Sequence, residues 1–247
     1  MTRIKGLAAG LLGAFAFAAN AHAADPAGAW PPPMTGGYER PEPQFKELLS
    51  GWYFRVDLGY RLNSVGSFDT AAPTINAKYH DAIAGTVGVG FKNQWFRADV
   101  TVDRGSPSNI SATTATAVTQ PQYSSKITPL TLLGNAYIDL GTWSGFTPYV
   151  GVGAGVTQLK SAGYIDTSRA SGVLGQDGTT RNFTWAAMAG IGFKVKPNWM
   201  LDVGYRYLDM GNLPANNMTI SAAMPTAAQF NKLTAQEVRV GIRFLFD

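Results

Sequence analysis

Residues 52–61 read Trp52-Tyr53-Phe54-Arg55-Val56-Asp57-Leu58-Gly59-Tyr60-Arg61. Trp52, Phe54, Val56, Leu58 and Tyr60 fall on one face, and Tyr53, Arg55, Asp57, Gly59 and Arg61 fall on the other. Side chains alternate across a strand, so this period of two specifies a β-strand with one oily face. The pattern recurs at Ala82–Phe91, Trp95–Asp103, Leu130–Leu140, Tyr149–Thr157, Phe183–Val195, Trp199–Tyr207 and Glu237–Phe246. The segment from Leu130 carries two blemishes. Pro129 cannot donate to a ladder, and Leu133 falls on the polar side.

The connections between these eight segments alternate in length. Long ones occupy about 62–79, 104–126, 160–181 and 209–233, and tight ones occupy Lys92–Gln94, Gly141–Gly145 and Lys196–Asn198. Short periplasmic turns and long exterior loops give this rhythm in outer-membrane barrels, and an even strand count lets the first strand meet the last. The expected fold class is therefore all-β, an eight-stranded antiparallel transmembrane β-barrel with short periplasmic turns and long exterior loops.

Alternation alone does not say whether the oily face lines the barrel or clothes it, because a secreted ligand-binding barrel also has eight strands. Three features point outward for the oily face. The polar face is rich in glycine (Gly59, Gly88, Gly90, Gly151, Gly153, Gly155, Gly190, Gly192, Gly204 and Gly241), which suits a narrow, crowded interior. It also carries Arg55, Asp57, Arg97, Asp99, Asp139, Asp202, Arg206, Glu237, Arg239 and Arg243, with both signs on several strands. A charge facing lipid at the midplane costs roughly 2–4 kcal/mol, so such a face belongs inside, where the charges can pair. Finally, aromatic residues cluster near strand ends on the oily face, as in the two girdles of a membrane barrel.

Composition excludes several other classes. Among 247 residues there is no cysteine and there are two histidines, His22 and His80, so disulfide frameworks, thiol nucleophiles and multi-histidine metal sites are excluded. With 45% hydrophobic and 15% charged residues the chain is not of the disordered type. The formal charge of +4, two of which come from Arg3 and Lys5, is too weak to suggest a nucleic-acid partner. Residues 1–23 read as a signal peptide: Arg3 and Lys5, an apolar run from Gly6 to Ala19, then Ala21-His22-Ala23 as the cleavage pattern. Residues 24–50 are rich in proline and glycine and read as a flexible periplasmic segment, in which Trp30-Pro31-Pro32-Pro33 offers a docking motif. Residues 51–247 form the barrel.

With these features the chain resembles the small outer-membrane barrels of the opacity-protein family, in particular the major surface proteins of alphaproteobacteria. The likeness rests on Trp52–Tyr60, on Thr147-Pro148-Tyr149-Val150-Gly151-Val152-Gly153-Ala154-Gly155, on Leu201–Tyr207 and on Glu237–Phe244. The resemblance implies an abundant envelope protein and surface antigen, located in the bacterial outer membrane and inserted by the barrel-assembly machinery. Members serve variously as structural proteins, adhesins, haem binders or weak porins. It also implies an assembly signal in the terminal aromatics, Phe244 and Phe246, although this chain ends one residue later at Asp247.

The charged face reads first as structural glue and second as a narrow ion path. Tyr79 and His80 form a weak haem-ligand candidate pair. His80 also stands as the sole mature histidine for a serine-based hydrolase, but no spacing links it to Ser50, Ser64, Ser67, Ser106, Ser108 or Ser111. No catalytic residue, metal or cofactor is assigned. The loops at 104–126 and 209–233 are candidates for contact with a host or matrix surface. The expected function is a non-enzymatic structural surface protein of the outer membrane, with a small, weakly conducting porin and an adhesin or haem binder as alternatives.

Overall fold

The computed structural model describes residues 50–69, 74–114, 123–166, 173–174, 177–214 and 229–246. The expected signal peptide and all but the last residue of the 24–50 segment lie outside them, as do the centre of the 104–126 loop, residues 215–228 and Asp247. Eight long strands stand where the alternation occurs: β1 (Gly51–Asp69), β3 (Ala82–Asn93), β4 (Phe96–Gly105), β6 (Tyr123–Asp139), β7 (Phe146–Asp166), β9 (Gly178–Lys196), β10 (Trp199–Asp209) and β12 (Gln229–Phe246). Four short strands lie between them: β2 (Thr74–Tyr79), β5 (Ser108–Thr114), β8 (Val173–Leu174) and β11 (Leu213–Pro214).

The fold is all-β, and every pairing is antiparallel. β1 pairs with β3 and β12, and further pairs join β3 to β4, β4 to β6, β6 to β7, β7 to β9, β9 to β10 and β10 to β12.

Two sequence expectations are corrected. Twelve strands, not eight, occur among the described residues, and the four additional ones lie inside segments expected to be loops. β1, β6 and β7 also run farther than the period-two pattern reaches. Beyond the apolar belt nothing demands an oily outer face, so the hydropathy alternation ends while the ladder continues. Stretches such as Ser108–Thr114, with its isoleucine and threonines, retain the chemistry of a pleated surface. The first tight turn is also displaced. β3 continues through Asn93 and the chain turns at Gln94–Trp95, with Gln94 in the left-handed region at φ 52°, so Lys92 is a strand residue and not a turn residue.

The two faces have opposite polarity. Leu58, Val152 and Phe183 are 67%, 64% and 69% exposed, whereas Arg55, Arg206 and Glu237 are 2%, 1% and 1% exposed. A soluble ligand-binding barrel would show the reverse, so the oily face is the outer one. At the tight-turn end the outer face carries edge-to-face or tilted aromatic pairs: Trp52 with Phe91 at 5.5 Å, Phe146 with Phe193 at 5.0 Å and Trp199 with Phe244 at 5.0 Å. Trp185 and Tyr207, 5.3 Å apart, lie toward the opposite end. These bands match the interfacial girdles of a membrane-spanning sheet.

Inward glycines make room for large neighbours. Gly241 stands directly opposite Asp57, and Gly151 directly opposite Tyr137. A Cβ added at Gly241 would lie 2.0 Å from Asp57 Oδ1, and one at Gly151 would lie 2.3 Å from Tyr137 Cδ1. Crowding thus explains the glycines on the polar face.

The same register accommodates the irregular fourth segment. Pro129 sits where β4 ends and β5 begins, between the pairs Arg104–Leu130 and Ser108–Ile127, at a break in the neighbouring ladder. Leu133 points inward and is fully buried in an apolar cluster with Tyr137 and Met188. That cluster continues above the belt through Ile127, Leu159, Leu208, Leu233, Phe68 and Phe230, with the last two rings 4.4 Å apart. The inward face is therefore polar within the belt and largely apolar beyond it.

Candidate functional site

The inward side chains of the belt form a buried polar network in three levels. Nearest the tight turns, Asp139 accepts a hydrogen bond from Arg97 Nε at 2.8 Å and pairs with Lys92. Asp202 is held by Arg243 through Nε at 3.1 Å and Nη2 at 2.8 Å, a fork-on-carboxylate contact. The Arg97 guanidinium lies between the rings of Tyr137 and Tyr149, 4.7 and 4.6 Å from their centroids.

In the middle level Asp57 accepts Arg55 Nε at 3.0 Å, Arg55 Nη2 at 2.9 Å and Arg239 Nη2 at 2.6 Å. Arg55 Nη1 donates to Asp99 and to the Tyr137 hydroxyl, both at 3.1 Å. Asp99 also accepts the Tyr53 hydroxyl at 2.8 Å and the Asn135 amide at 2.7 Å. Above it, Arg61 pairs with Asp103, and its Nε donates to Glu237 at 2.6 Å. Arg206 Nη2 donates to Asp103 at 2.6 Å and to Glu237 at 2.8 Å, and the Thr86 hydroxyl reaches Asp103 at 2.7 Å. Burying either sign alone would cost several kcal/mol, so each charge is tolerable because its partner is in place.

The structure puts all ten charged residues singled out in the sequence on the buried face. It adds Arg61, Lys92 and Asp103, which sequence reasoning left out of that set. Arg61 and Asp103 were recoverable, since each shares the parity of the charged residues preceding it on its strand. Lys92 was hidden by its assignment to a turn.

Tyr79 and His80 are not brought together. Tyr79 is buried in the apolar cluster, where burial pushes its phenol up to about 12 against a smaller opposing effect from Arg61. His80 is exposed and lines a cleft of about 600 Å³ with Asn109, Ser111, Ser124 and Lys126. The Ser108 hydroxyl donates to the His80 carbonyl at 2.5 Å, a backbone contact that does not involve the imidazole. Among the described residues no group of three or more potential ligands is placed to hold a metal. The terminal aromatics Phe244 and Phe246 stack on the outer face, 6.4 Å apart.

The profile of the family described as "Outer membrane protein beta-barrel domain" matches residues 9–242. An uncharacterized protein of Brucella abortus (strain 2308) is 29% identical over 208 residues, covering 68% of this chain and 72% of that protein. The Putative adhesin RP828 of Rickettsia prowazekii is 25% identical over 210 residues, covering 81% of this chain and 90% of its own length. Among solved structures, the outer membrane protein OprG of Pseudomonas aeruginosa superposes with a TM-score of 0.51 at 15% identity, over 80% of this chain and 97% of OprG. That last likeness is one of fold.

Proposed function

This chain belongs to the outer membrane protein beta-barrel domain family, and from that premise we propose that its eight long strands close into a single barrel braced from within, a structural surface protein of the outer membrane. The closure reading is supported by register. Successive pairs lead from Arg181 through Gln158, Leu130, Arg104, Gly85, Leu58, Val240 and Val203 back to Ile191 on the same strand. That stagger of ten residues is the tilt a closed barrel requires. Export by removal of residues 1–23, contact with the assembly machinery through Phe244 and Phe246, and kinship with the opacity-type surface proteins belong to the same proposal.

The observation that carries the structural role is the hydrogen bond from Arg206 to Asp103. β10 and β4 stand four strands apart in either direction around the ring, so this bond crosses the full width of the interior. With Arg61 and Glu237 it makes a crossbar of buried side chains. An eight-stranded barrel is just wide enough to be filled in this way. A porin reading needs a continuous wet path, and the crossbar stands across it. The expected result in a planar bilayer is no steady conductance from the purified protein at moderate voltage. Reproducible ohmic steps, shifting in ion selectivity when Arg239 is neutralised, would reverse the assignment.

An adhesive role is the second reading. It is favoured by the name of the Rickettsia relative and by the extension of β1, β6 and β7 beyond the belt around an apolar core. Such a core would give the exterior segments near 104–126 and 209–233 a firm platform from which to meet a host or matrix surface.

A further inference from the structure

The outer face is not electrically even around the barrel. On β6 the outward file runs Leu132, Leu130, Thr128, Lys126; on β7 it runs Val156, Gln158, Lys160; on β9 it runs Trp185, Phe183, Arg181. Each file passes from apolar to cationic as it leaves the belt. The register pairs Lys160 with Thr128 on one side and with Thr179 on the other, which puts Lys126 and Arg181 two residues away in opposite senses. Diagonal neighbours of this kind lie about 7–8 Å apart. Pairing rows run down the barrel by ten residues over eight strands, so a two-residue step up per strand keeps the three cations nearly level with one another. Arg104 on β4 is also exposed and lies lower, nearer the belt.

Among the described residues none of these three side chains enters an ion pair. The nearby Asp177 carboxylate accepts the Gly163 backbone N–H at 3.2 Å. The far wall is different: the outward file of β3 ends at Asp81, and β12 supplies Lys232 alone. On β10, the neighbour of β9, the outward file ends at Asp209, which pairs with Trp185, four residues below Arg181 on its strand. Like charges on successive strands repel one another, and an anion spanning them would relieve that repulsion. Below them, past Thr128 on β6 and Gln158 on β7, the same files reach Leu130, Val156 and Phe183, 39%, 47% and 69% exposed. Directly above, Lys126 opens into the cleft lined by Asn109, Ser111, Ser124 and Ile165.

We propose that Lys126, Lys160 and Arg181 form a site for the phosphorylated headgroup of an outer-leaflet lipid, with its acyl chains on Leu130, Val156 and Phe183. The inference rests on the barrel reading above. The cations supply charge, the serine and asparagine side chains of the cleft supply hydrogen bonds to polar headgroup atoms, and the apolar file anchors the tails. A soluble phosphate would use the first two of these and not the third.

The test is retention of lipid by native mass spectrometry of the folded mature protein, extracted from phosphatidylcholine bilayers containing one-tenth of a hexa-acylated glucosamine disaccharide bisphosphate. Wild type is expected to retain the bisphosphorylated lipid preferentially. The K126Q/K160Q/R181Q variant is expected to lose at least about tenfold of that preference, since each basic residue near a charged surface contributes about fivefold. K232Q on the opposite wall should leave it unchanged, and K126R/K160R should preserve it. Heat-modifiable mobility in each variant shows that the barrel is intact, which separates failure of this site from failure of the fold. Equal retention by wild type and triple variant would overturn the proposal. So would equally effective competition by inorganic phosphate, which would show that the tails contribute nothing.

Discussion

Replacing Asp103 by alanine is expected to lower the unfolding free energy of the barrel by about 3–5 kcal/mol, the cost of stranding a buried charge. The reason is local stoichiometry. Asp103 accepts from Arg61, Arg206 and Thr86, and without it two buried guanidiniums share Glu237. Both arginines are 1% exposed, so water cannot take over Asp103's role without prying the strands apart. Urea titration of the protein in lipid vesicles, followed by tryptophan fluorescence, measures the change. Replacing Asp103, Glu237, Arg61 and Arg206 together by well-packed apolar residues should cost far less than the single change, because no charge is then left unpaired. A loss below about 1 kcal/mol for Asp103→Ala would mean that this level of the interior is hydrated and that the crossbar is not a brace.

The second large effect concerns the outer face. Val240 lies midway along β12, between the aromatics Phe244 and Phe246 and the polar Gln236, and is 48% exposed. Val240→Arg should cost about 2–4 kcal/mol in the same vesicle titration, the penalty for an arginine facing lipid at the midplane. The same substitution at Gln236, nearer the exterior interface, should cost roughly 0–1 kcal/mol. Equal costs at the two positions would show that the outer face meets a uniform medium and not a bilayer of graded polarity.

The belt was legible in the sequence because a membrane imposes a rule at every step: apolar outward, polar or small inward. Trp52 to Arg61 obeys it without a fault, and the same rule fixed which face bears Arg55, Asp57, Arg239 and Arg243. Above the belt the rule lapses. Ser108–Thr114 carries only a short alternation of the opposite sense, with Ile110 and Ala112 buried and Asn109 exposed, yet β5 pairs with both β2 and β6. The apolar cluster around Phe68 and Phe230 joins residues more than 160 positions apart, and such a contact leaves no trace in local periodicity. In the charged interior, sequence gave the membership by parity but not the partners. Arg206 on β10 meets Asp103 on β4, two strands that are not paired with each other, and no single strand encodes such a contact. Lys92 was missed for a simpler reason: Lys-Asn-Gln has the composition of a turn, but the strand needed one more inward cation to meet Asp139.

The most direct measurement is the collision rate of spin labels placed one at a time at residues 237 to 242 of the protein in lipid bilayers, using molecular oxygen as the lipid-soluble relaxant and a nickel chelate as the water-soluble one. Positions 238, 240 and 242 should collide strongly with oxygen and hardly at all with nickel, and 237, 239 and 241 should be protected from oxygen, in a period of two. Strong nickel contact at 240, or oxygen contact that peaks at 239, would contradict a barrel clothed in lipid and packed with its own charges.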